Sequence, residues 1–309
     1  MFSFLTQPSY PKAAIGLEKE AVTALALERS GGQFSVRQAA TIELPPHLIT
    51  PSFSEKNIST AEEFRVLLEE TVTSAGLMSE KRWSISLPSN SAKAAILTLE
   101  SEPASRSEAE EVLDWKSEQT FGVPSGELRI TRFKIDPDFE GRTRYFASAV
   151  KLSVIDEFET VFESLGWKAG LILPRIVSEA NWLMAKAADS DSLLISSQRE
   201  GFTAMLIRGD QPYVMRSVNC GAGEREDEIF RLLMFYHDRV AEQRQELLQK
   251  VLLVGEDLNP AAIRDIASQA LGVTPNVLTP NDIGLSIPAG SLDFDDVAAP
   301  AGLAALAWQ

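Results

Sequence analysis

Apolar and polar positions alternate along much of this chain, and where they do not, they recur at helical spacing. The segment "AAIGLEKEAVTALALE" (13–28) is rich in strand formers, and "FSVRQAATIEL" (34–44) alternates like its partner. Gly31-Gly32 lies between them, which predicts a hairpin. "PPHLITPSFSEKN" (45–57) reads as a loop. Ser59 with Glu62 has the spacing of a capping box, and Phe64, Leu67, Leu68 and Val72 then form a helical stripe that stops at Gly76. "RWSISLP" and "AAILTLE" are short strands. Ser107 with Glu110 predicts a second capping box opening an acidic helix to about Thr120, with Val112, Trp115 and Gln119 inward. "ELRITRFKID" and "TRYFASAVK" alternate on either side of a turn, "PDFEGR". Residues 83–151 therefore read β-β-α-β-β, a small α+β unit.

The pattern continues through a helix capped by Ser153, with Ile155, Phe158, Phe162 and Leu165 inward and Gly166 as its stop. A strand (167–173) and a helix after Pro174 follow. "LLISSQREGFTAMLIRGDQPYVMRSV" (193–218) then places apolar runs around two turns, a second opening hairpin. Residues 224–247 read as one long amphipathic helix, "KVLLVGE" as a buried strand, and "NPAAIRDIASQALG" as a helix with Pro260 in its first turn. "NVL" is a brief strand, and "SLDFDDVAAPAGLAALAW" an acidic loop followed by a small-residue helix. Both halves of the chain open with a hairpin (13–44 and 192–218), the signature of a duplicated fold.

Composition narrows the function. A hydrophobic content of 44% over 309 residues supplies a substantial core. The net charge of −15 argues against a general nucleic-acid or anionic-membrane binder, because phosphates in bulk would go unneutralised. A single cysteine, Cys220, excludes an internal disulfide and a CxxC metal site and suits a reducing compartment. No apolar run approaches the ~18 residues of a membrane span, and "MFSFLTQPSYPK" lacks the basic start and long apolar stretch of a signal peptide. A soluble, cytoplasmic protein is expected.

A hairpin at the start of each half, followed late by a strand-turn-helix, is the layout of the actin-like ATPase superfold. In such folds the hairpin turns offer backbone N–H groups to phosphate, with Gly permitting close approach, and an Asp in each holds the Mg²⁺ shell or orients water. "RWSISLPSNSAKAAILTLES", "SEAEEVLDWKSEQTFGVPSGELRITRFKID" and "YFASAVKLSVIDEFETVFESLGWKAGLILPRIVSEANWL" appear in order, then "DEIFRLLMFYHD", "KVLLVGEDLNPAAIRDIASQALGV" and "VAAPAGLAALAW". Together, over nearly the whole chain, these segments resemble the PilM family of type IV pilus assembly proteins. The resemblance implies an α/β, actin-like (ribonuclease H-like) duplicated fold with an inserted α+β module. It divides the chain into a first subdomain (1–82), the module (83–152), a return to the first subdomain (153–190), a reduced second half (191–298) and a C-terminal helix packing back (299–309).

The nucleotide residues implied by the family do not carry over. Glu18 stands at the position of the first-hairpin Asp, Lys19-Glu20 replaces a Gly/Ser-rich turn, and Thr23 falls near the family's Lys. In the second hairpin Ser196 stands for the Asp and Gln198 for the Gly. The adenosine turn has Gly255 followed by Glu256 and Asp257, carboxylates that would face a polyphosphate unfavourably. Between the second hairpin and the following helix the family carries a lid subdomain, where this chain has only "NCGAGERE". The resemblance with these departures implies a pseudo-ATPase, with no cofactor and no metal. It would be a scaffold of a type IV pilus or related secretion machine at the inner face of the bacterial inner membrane. The implied partner is the N-terminal tail of a PilN-like single-span membrane protein, held in a groove. Ser86, Leu87 and Pro88 are candidate groove residues. The alternatives are an active actin-like ATPase and a GspL-like secretion subunit, which shares the fold and normally continues into a transmembrane helix.

Other candidates read as structural. His237 lies on a helix, His47 in a Pro-rich loop, and two histidines with one cysteine make a poor zinc set. Cys220 lacks a Cys/His/Asn signature. "LDFDDV" (292–297) lacks the Gly and terminal Glu of an EF-hand loop and reads as a solvated acidic loop. "GEREDE" (223–228) puts carboxylates in a helix's first turn, where the macrodipole favours them. Trp115 and Phe121-Gly122-Val123-Pro124 admit two readings, a partner contact or packing of the module's helix onto its sheet, and aromatic residues at helical spacing favour packing.

Overall fold

The computed structural model describes residues 9–184, 190–241, 248–255, 257–288, 290 and 292–308. In chain order it contains β1 (Ala13–Leu17), β2 (Ala21–Ser30), β3 (Gln33–Glu43), α1 (Ala61–Ser74), β4 (Arg82–Leu87), β5 (Lys93–Thr98), α2 (Arg106–Phe121), β6 (Leu128–Ile135), β7 (Arg144–Lys151), α3 (Leu152–Ser164) and β8 (Lys168–Pro174). Then come α4 (Arg175–Met184), β9 (Ser192–Gln198), β10 (Gly201–Arg208), β11 (Gln211–Asn219), α5 (Arg225–Tyr236), β12 (Lys250–Val254), α6 (Pro260–Leu271), β13 (Asn276–Leu278), β14 (Leu285–Ser286) and α7 (Phe294–Ala305). Two compact units result. The first comprises Met1–Ala92, Lys151–Glu179 and Gly284–Gln309, the second Lys93–Val150 and Ala180–Ile283.

In the first unit the sheet order is β14-β3-β2-β1-β4-β8, and in the second β11-β10-β9-β12-β13. The shared pattern, two antiparallel hairpin strands and then parallel strands, confirms the duplication read from the two opening hairpins. Gly31 and Gly32 close the β2–β3 turn with φ of 58° and 85°, which a side chain would resist.

The first sheet is buried on both faces, and its two faces differ in side-chain size. Ile15 and Leu17 of β1 share one face with Trp83, Ile85 and Leu87 of β4. That face carries the aromatic core, where Trp83 packs on Trp167 (5.6 Å between ring centroids) and Phe64 of α1 meets Phe158 of α3 edge-on (6.2 Å). The opposite face presents Ala14 and Gly16 beside Ser84 and Ser86. α7, whose buried turns are mostly alanine with Gly302, Val297, Pro300 and Leu303, lies against β1, β2 and β4. A Cβ on Gly16 would sit 2.9 Å from the ring of Pro300, so the absence of a side chain at residue 16 sets how near α7 approaches.

In the second unit, α5 and α6 cover one face of the sheet, and Leu193, Ile195, Phe202, Leu206, Val251 and Leu253 meet Ile229, Leu233, Ile263 and Ala267 there. The inserted module is the sheet β5-β7-β6 with α2 against β5. It is anchored to β11 by Arg144. That side chain donates to the carbonyl of Tyr213 (2.8 Å) and that of Asp136 (2.9 Å), with its guanidinium 4.5 Å from the Tyr213 ring. Desolvation lowers the Arg144 pKa from its ordinary value.

Several expectations change. β4 belongs to the main sheet, between β1 and β8, so the module reads β-α-β-β and not β-β-α-β-β. Gly284 onward, with β14 and α7, lies in the first unit rather than in the second half. The α1 cap is Thr60 without a side-chain bond; the Ser59 hydroxyl instead donates to Leu48 O (3.3 Å) and Glu62 pairs with Arg65. The box before α2 is Ser105 with Glu108, two residues earlier than Ser107 and Glu110. Ser105 Oγ accepts from Glu108 N–H, and the Glu108 carboxylate accepts from Ala104 N–H. α3 begins before Ser153, with Lys151 at its N-cap position. α5 passes into a π-helical turn at His237–Ala241, and the predicted continuation at 242–247 lies outside the described residues. Asp295 and Asp296 are not loop residues but the first turn of α7, where the helix dipole favours them.

Because the Pro300 ring cannot swing aside, Gly16→Val is expected to destabilise the chain by about 1–3 kcal/mol through overpacking. Urea denaturation measures this, and an unchanged midpoint would show that α7 is not held at this spacing.

Candidate functional site

The first hairpin turn is short because Glu18 N–H donates to Ala21 O (2.9 Å), leaving Leu17 opposite Val22. Glu18 projects from it to Arg175, at the first position of α4, with a separation of 2.9 Å. Arg175 also holds Glu179, one helical turn on, at 2.6 Å. Glu179 is fully buried and the Arg175 side chain is 10% exposed, whereas Glu18 keeps 31% of its side-chain surface exposed. Burial raises the Glu18 carboxyl above the ordinary glutamate value, against the lowering pull of Arg175 and with a further rise from Glu179 and Asp296. Arg175 is raised, its own desolvation outweighed by the two carboxylates. The cation that β8 and α4 bring to this turn is thus taken up by two internal anions. Thr23 is inside the sheet, its hydroxyl 2.9 Å from that of Thr41.

The second hairpin is a two-residue turn, Arg199-Glu200, with Gln198 opposite Gly201. Gly201 has φ of 144°, and a Cβ there would fall 1.9 Å from Val218 O. Its freedom serves the approach of β11. Ser196 and Ser197 are buried, and neither hydroxyl has a hydrogen-bond partner among the described residues. Gln198 donates through its amide to the Thr203 hydroxyl (3.2 Å). Its backbone carbonyl accepts from Arg225 (2.8 Å), which is itself buried and ion-paired with Asp257. Gly255 has φ of 134° and presses on β9, where an added Cβ would lie 2.5 Å from Ser197 Cβ. Here too the glycine admits neighbouring protein. Glu256 lies outside the described residues. The connection from β11 to α5 consists of Cys220 and a 3-10 turn, Ala222–Glu224.

Below this hairpin the second sheet is braced by a buried carboxylate. Arg208 grips Asp191 with two bonds, Nε to Oδ1 (2.8 Å) and a terminal nitrogen to Oδ2 (2.7 Å), and the Tyr236 hydroxyl donates to Oδ2 (3.1 Å). Asp191 raises the Arg208 pKa. The sequence reading missed both arginine networks, Arg175 and Arg225. The carboxylates were visible, but their counterions lie on elements distant in sequence.

The remaining candidates fall as follows. Ser86, Leu87 and Pro88 do not form an open groove: β4 is flanked on both sides, and all three are buried. Trp115 is not packed inward; it is 58% exposed, and α2 buries Leu113, Ser117 and Phe121 instead. Phe121 is core, followed by Gly122 in the left-handed conformation that ends the helix. His47 is exposed with φ of 69°, and His237 is 3.1 Å from Asp238 on the surface. Cys220 is partly buried against the second core. Glu226, Asp227 and Glu228 occupy the first turn of α5. Among the described residues no group of three or more His, Cys, Asp or Glu is arranged to hold a metal, and no helix is long and apolar enough to cross a membrane.

Glu18 carries a pH signature. Its carboxyl binds a proton more tightly folded than at its ordinary value of 4.5, so its contribution to stability falls as pH rises through that window and then levels off. Relative to Glu18→Gln, which cannot titrate, the native chain should lose stability from about pH 4.5 upward. Denaturation of both proteins across pH tests this. A difference that instead grows with pH would mean that the Arg175 ion pair outweighs burial.

No protein-family model matches the sequence, and no curated protein matches it. Solved structures do. One is the PilM–PilN type IV pilus biogenesis complex, with a TM-score of 0.72 at 14% identity over 98% of this chain and 100% of that one. Another is a Bacteroides thetaiotaomicron protein of actin-like ATPase fold and unknown function, at 0.47 and 11% identity over 96% and 98% of the two chains. A third is the cytoplasmic domain of EpsL, an inner-membrane component of the Vibrio cholerae type II secretion system, at 0.47 and 9% identity over 96% and 91%. At 14% identity the first likeness shows a shared fold: this chain has the actin-like fold found in that pilus complex.

Proposed function

We propose that this actin-like chain is a non-catalytic scaffold of a type IV pilus or related secretion machine, acting without nucleotide. Its partner would be the N-terminal tail of a PilN-like membrane protein, which would hold it at the inner face of the inner membrane. The fold-level likeness to the PilM–PilN complex over the whole chain supports the setting. The observation that carries the non-catalytic reading is the state of the hairpin turns. Phosphoryl transfer in such a fold needs backbone N–H groups open to phosphate and a carboxylate free to organise Mg²⁺. Here Glu18 is paired to Arg175, and Ser196, in place of an Asp, brings no charge. The glycines at 201 and 255 admit neighbouring protein atoms.

A thermal melt with and without millimolar Mg-ATP tests the reading. A ligand at ~100 times its Kd adds about 2.7 kcal/mol, or roughly 2–4 °C at this size. No shift is expected, and a shift of that order would return the ATPase reading. A synthetic peptide of the partner's N-terminal tail should bind the isolated chain with no nucleotide present. Binding that requires Mg-ATP would refute the scaffold.

Restoring the second hairpin alone, with Ser196→Asp and Gln198→Gly, should not create ATP affinity, because Glu18 and Arg175 still close the first turn on themselves. Calorimetry on the double variant decides, and micromolar binding would contradict the proposal.

A further inference from the structure

The α2 helix presents an outer face that nothing in the described chain covers. Leu113, Ser117 and Phe121 define its buried side, and Trp115 points away, 58% exposed. A single exposed aromatic is ordinary on a protein surface, but an indole flanked by carboxylates offers a face suited to a cation. Residues three, four and seven positions away share its face: Glu108, Glu111, Val112, Glu118 and Gln119. Glu108 and Glu118 accept backbone bonds from Ala104 and Ser125, and Glu111 is exposed. The helix's basic groups turn elsewhere. Lys116 reaches Glu100, and Arg106 pairs with Glu110. Arg132 of β6, which approaches α2 from the sheet side, is held by Asp114 and Ser117.

We propose that this Trp115-centred face is a docking surface for a cationic, arginine-bearing protein segment. A guanidinium stacked on the indole gains from the ring's negative face, and the carboxylates at 108, 111 and 118 supply the matching charge. The same carboxylates repel nucleic-acid phosphate and anionic lipid headgroups. A second copy of this chain is also a poor occupant, because its net charge is −15. The surface is independent of the scaffold function proposed above, since it rests only on α2 and its own module.

The test uses the full chain and a short fluorescein-labelled peptide of arginine and leucine, read by anisotropy. The same peptide with glutamate for arginine and phosphatidylserine vesicles serve as competing ligands. The arginine peptide should bind, more weakly as salt rises. Trp115→Ala should weaken it by about tenfold with an unchanged melting temperature, while Trp115→Phe retains part of the affinity. Glu111→Lys should weaken it by a similar factor. Glu80→Lys, the same charge change on an exposed residue of the first unit, should leave it within about twofold. The proposal is overturned by absence of binding, by Trp115→Ala or Glu111→Lys within about twofold of the native chain, or by Glu80→Lys being equally damaging, which would show attraction to net charge alone. Preference for the glutamate peptide or the vesicles would overturn it too.

Discussion

A sheet whose central strands are buried on both faces cannot be left half covered, and the first unit is organised around that constraint. β1 and β4 exchange parallel bonds at the centre, so each needs a helix layer above and below. One face answers with Trp83, Ile85, Ile15 and Leu17 against α1 and α3, a layer of large side chains. The other has Ala14, Gly16, Ser84 and Ser86, small residues that let the alanine-rich α7 approach closely, with Pro300 over Gly16. This makes the last helix of the chain part of the first unit's core, and it explains a composition that looked merely bland in the sequence.

One hairpin turn lies at the end of β1, the other between β9 and β10 of the second sheet. A turn that receives a ligand must keep its donors unsatisfied until the ligand arrives. Beside each turn here an arginine is paired with internal acceptors. Arg175 spans Glu18 and Glu179, and Arg225 links the Gln198 carbonyl to Asp257. A buried arginine paired this way is costly to strip of either partner, because the remaining charge is then left in low dielectric. The strand order of the hairpins recurs in both units.

The inserted module shows the opposite condition. Its inner side is committed: Arg144 ties β7 to β11, and Arg132 ties β6 to α2. Its outer side leaves a tryptophan largely in water among the carboxylates of α2. A surface that is rigid beneath and unsatisfied above suits the docking of another chain better than it suits chemistry.

Local rules sufficed for much of this. Alternation and turn glycines located the strands of both hairpins, and Gly76, Gly166 and Pro260 marked helix ends by backbone requirements that hold wherever the residue lies. Only the resemblance to the PilM family, and not local spacing, singled out Glu18 and Ser196. Local spacing failed where two local solutions were nearly equal in energy. Ser105 and Ser107 both have a glutamate three residues on, and the one chosen sets the helix register that buries Leu113 and exposes Trp115. It failed also where the answer lay across the chain. Whether "RWSISLP" joined the module or the main sheet depended on β1 and β8. The counterions of Glu18 and Asp257 came from Arg175 and Arg225, which are 157 and 32 positions away in the numbering. The sequence by itself determined which segments are strands and helices. Tertiary structure alone decided how the buried charges are matched, because charges are paired in space and not along the chain.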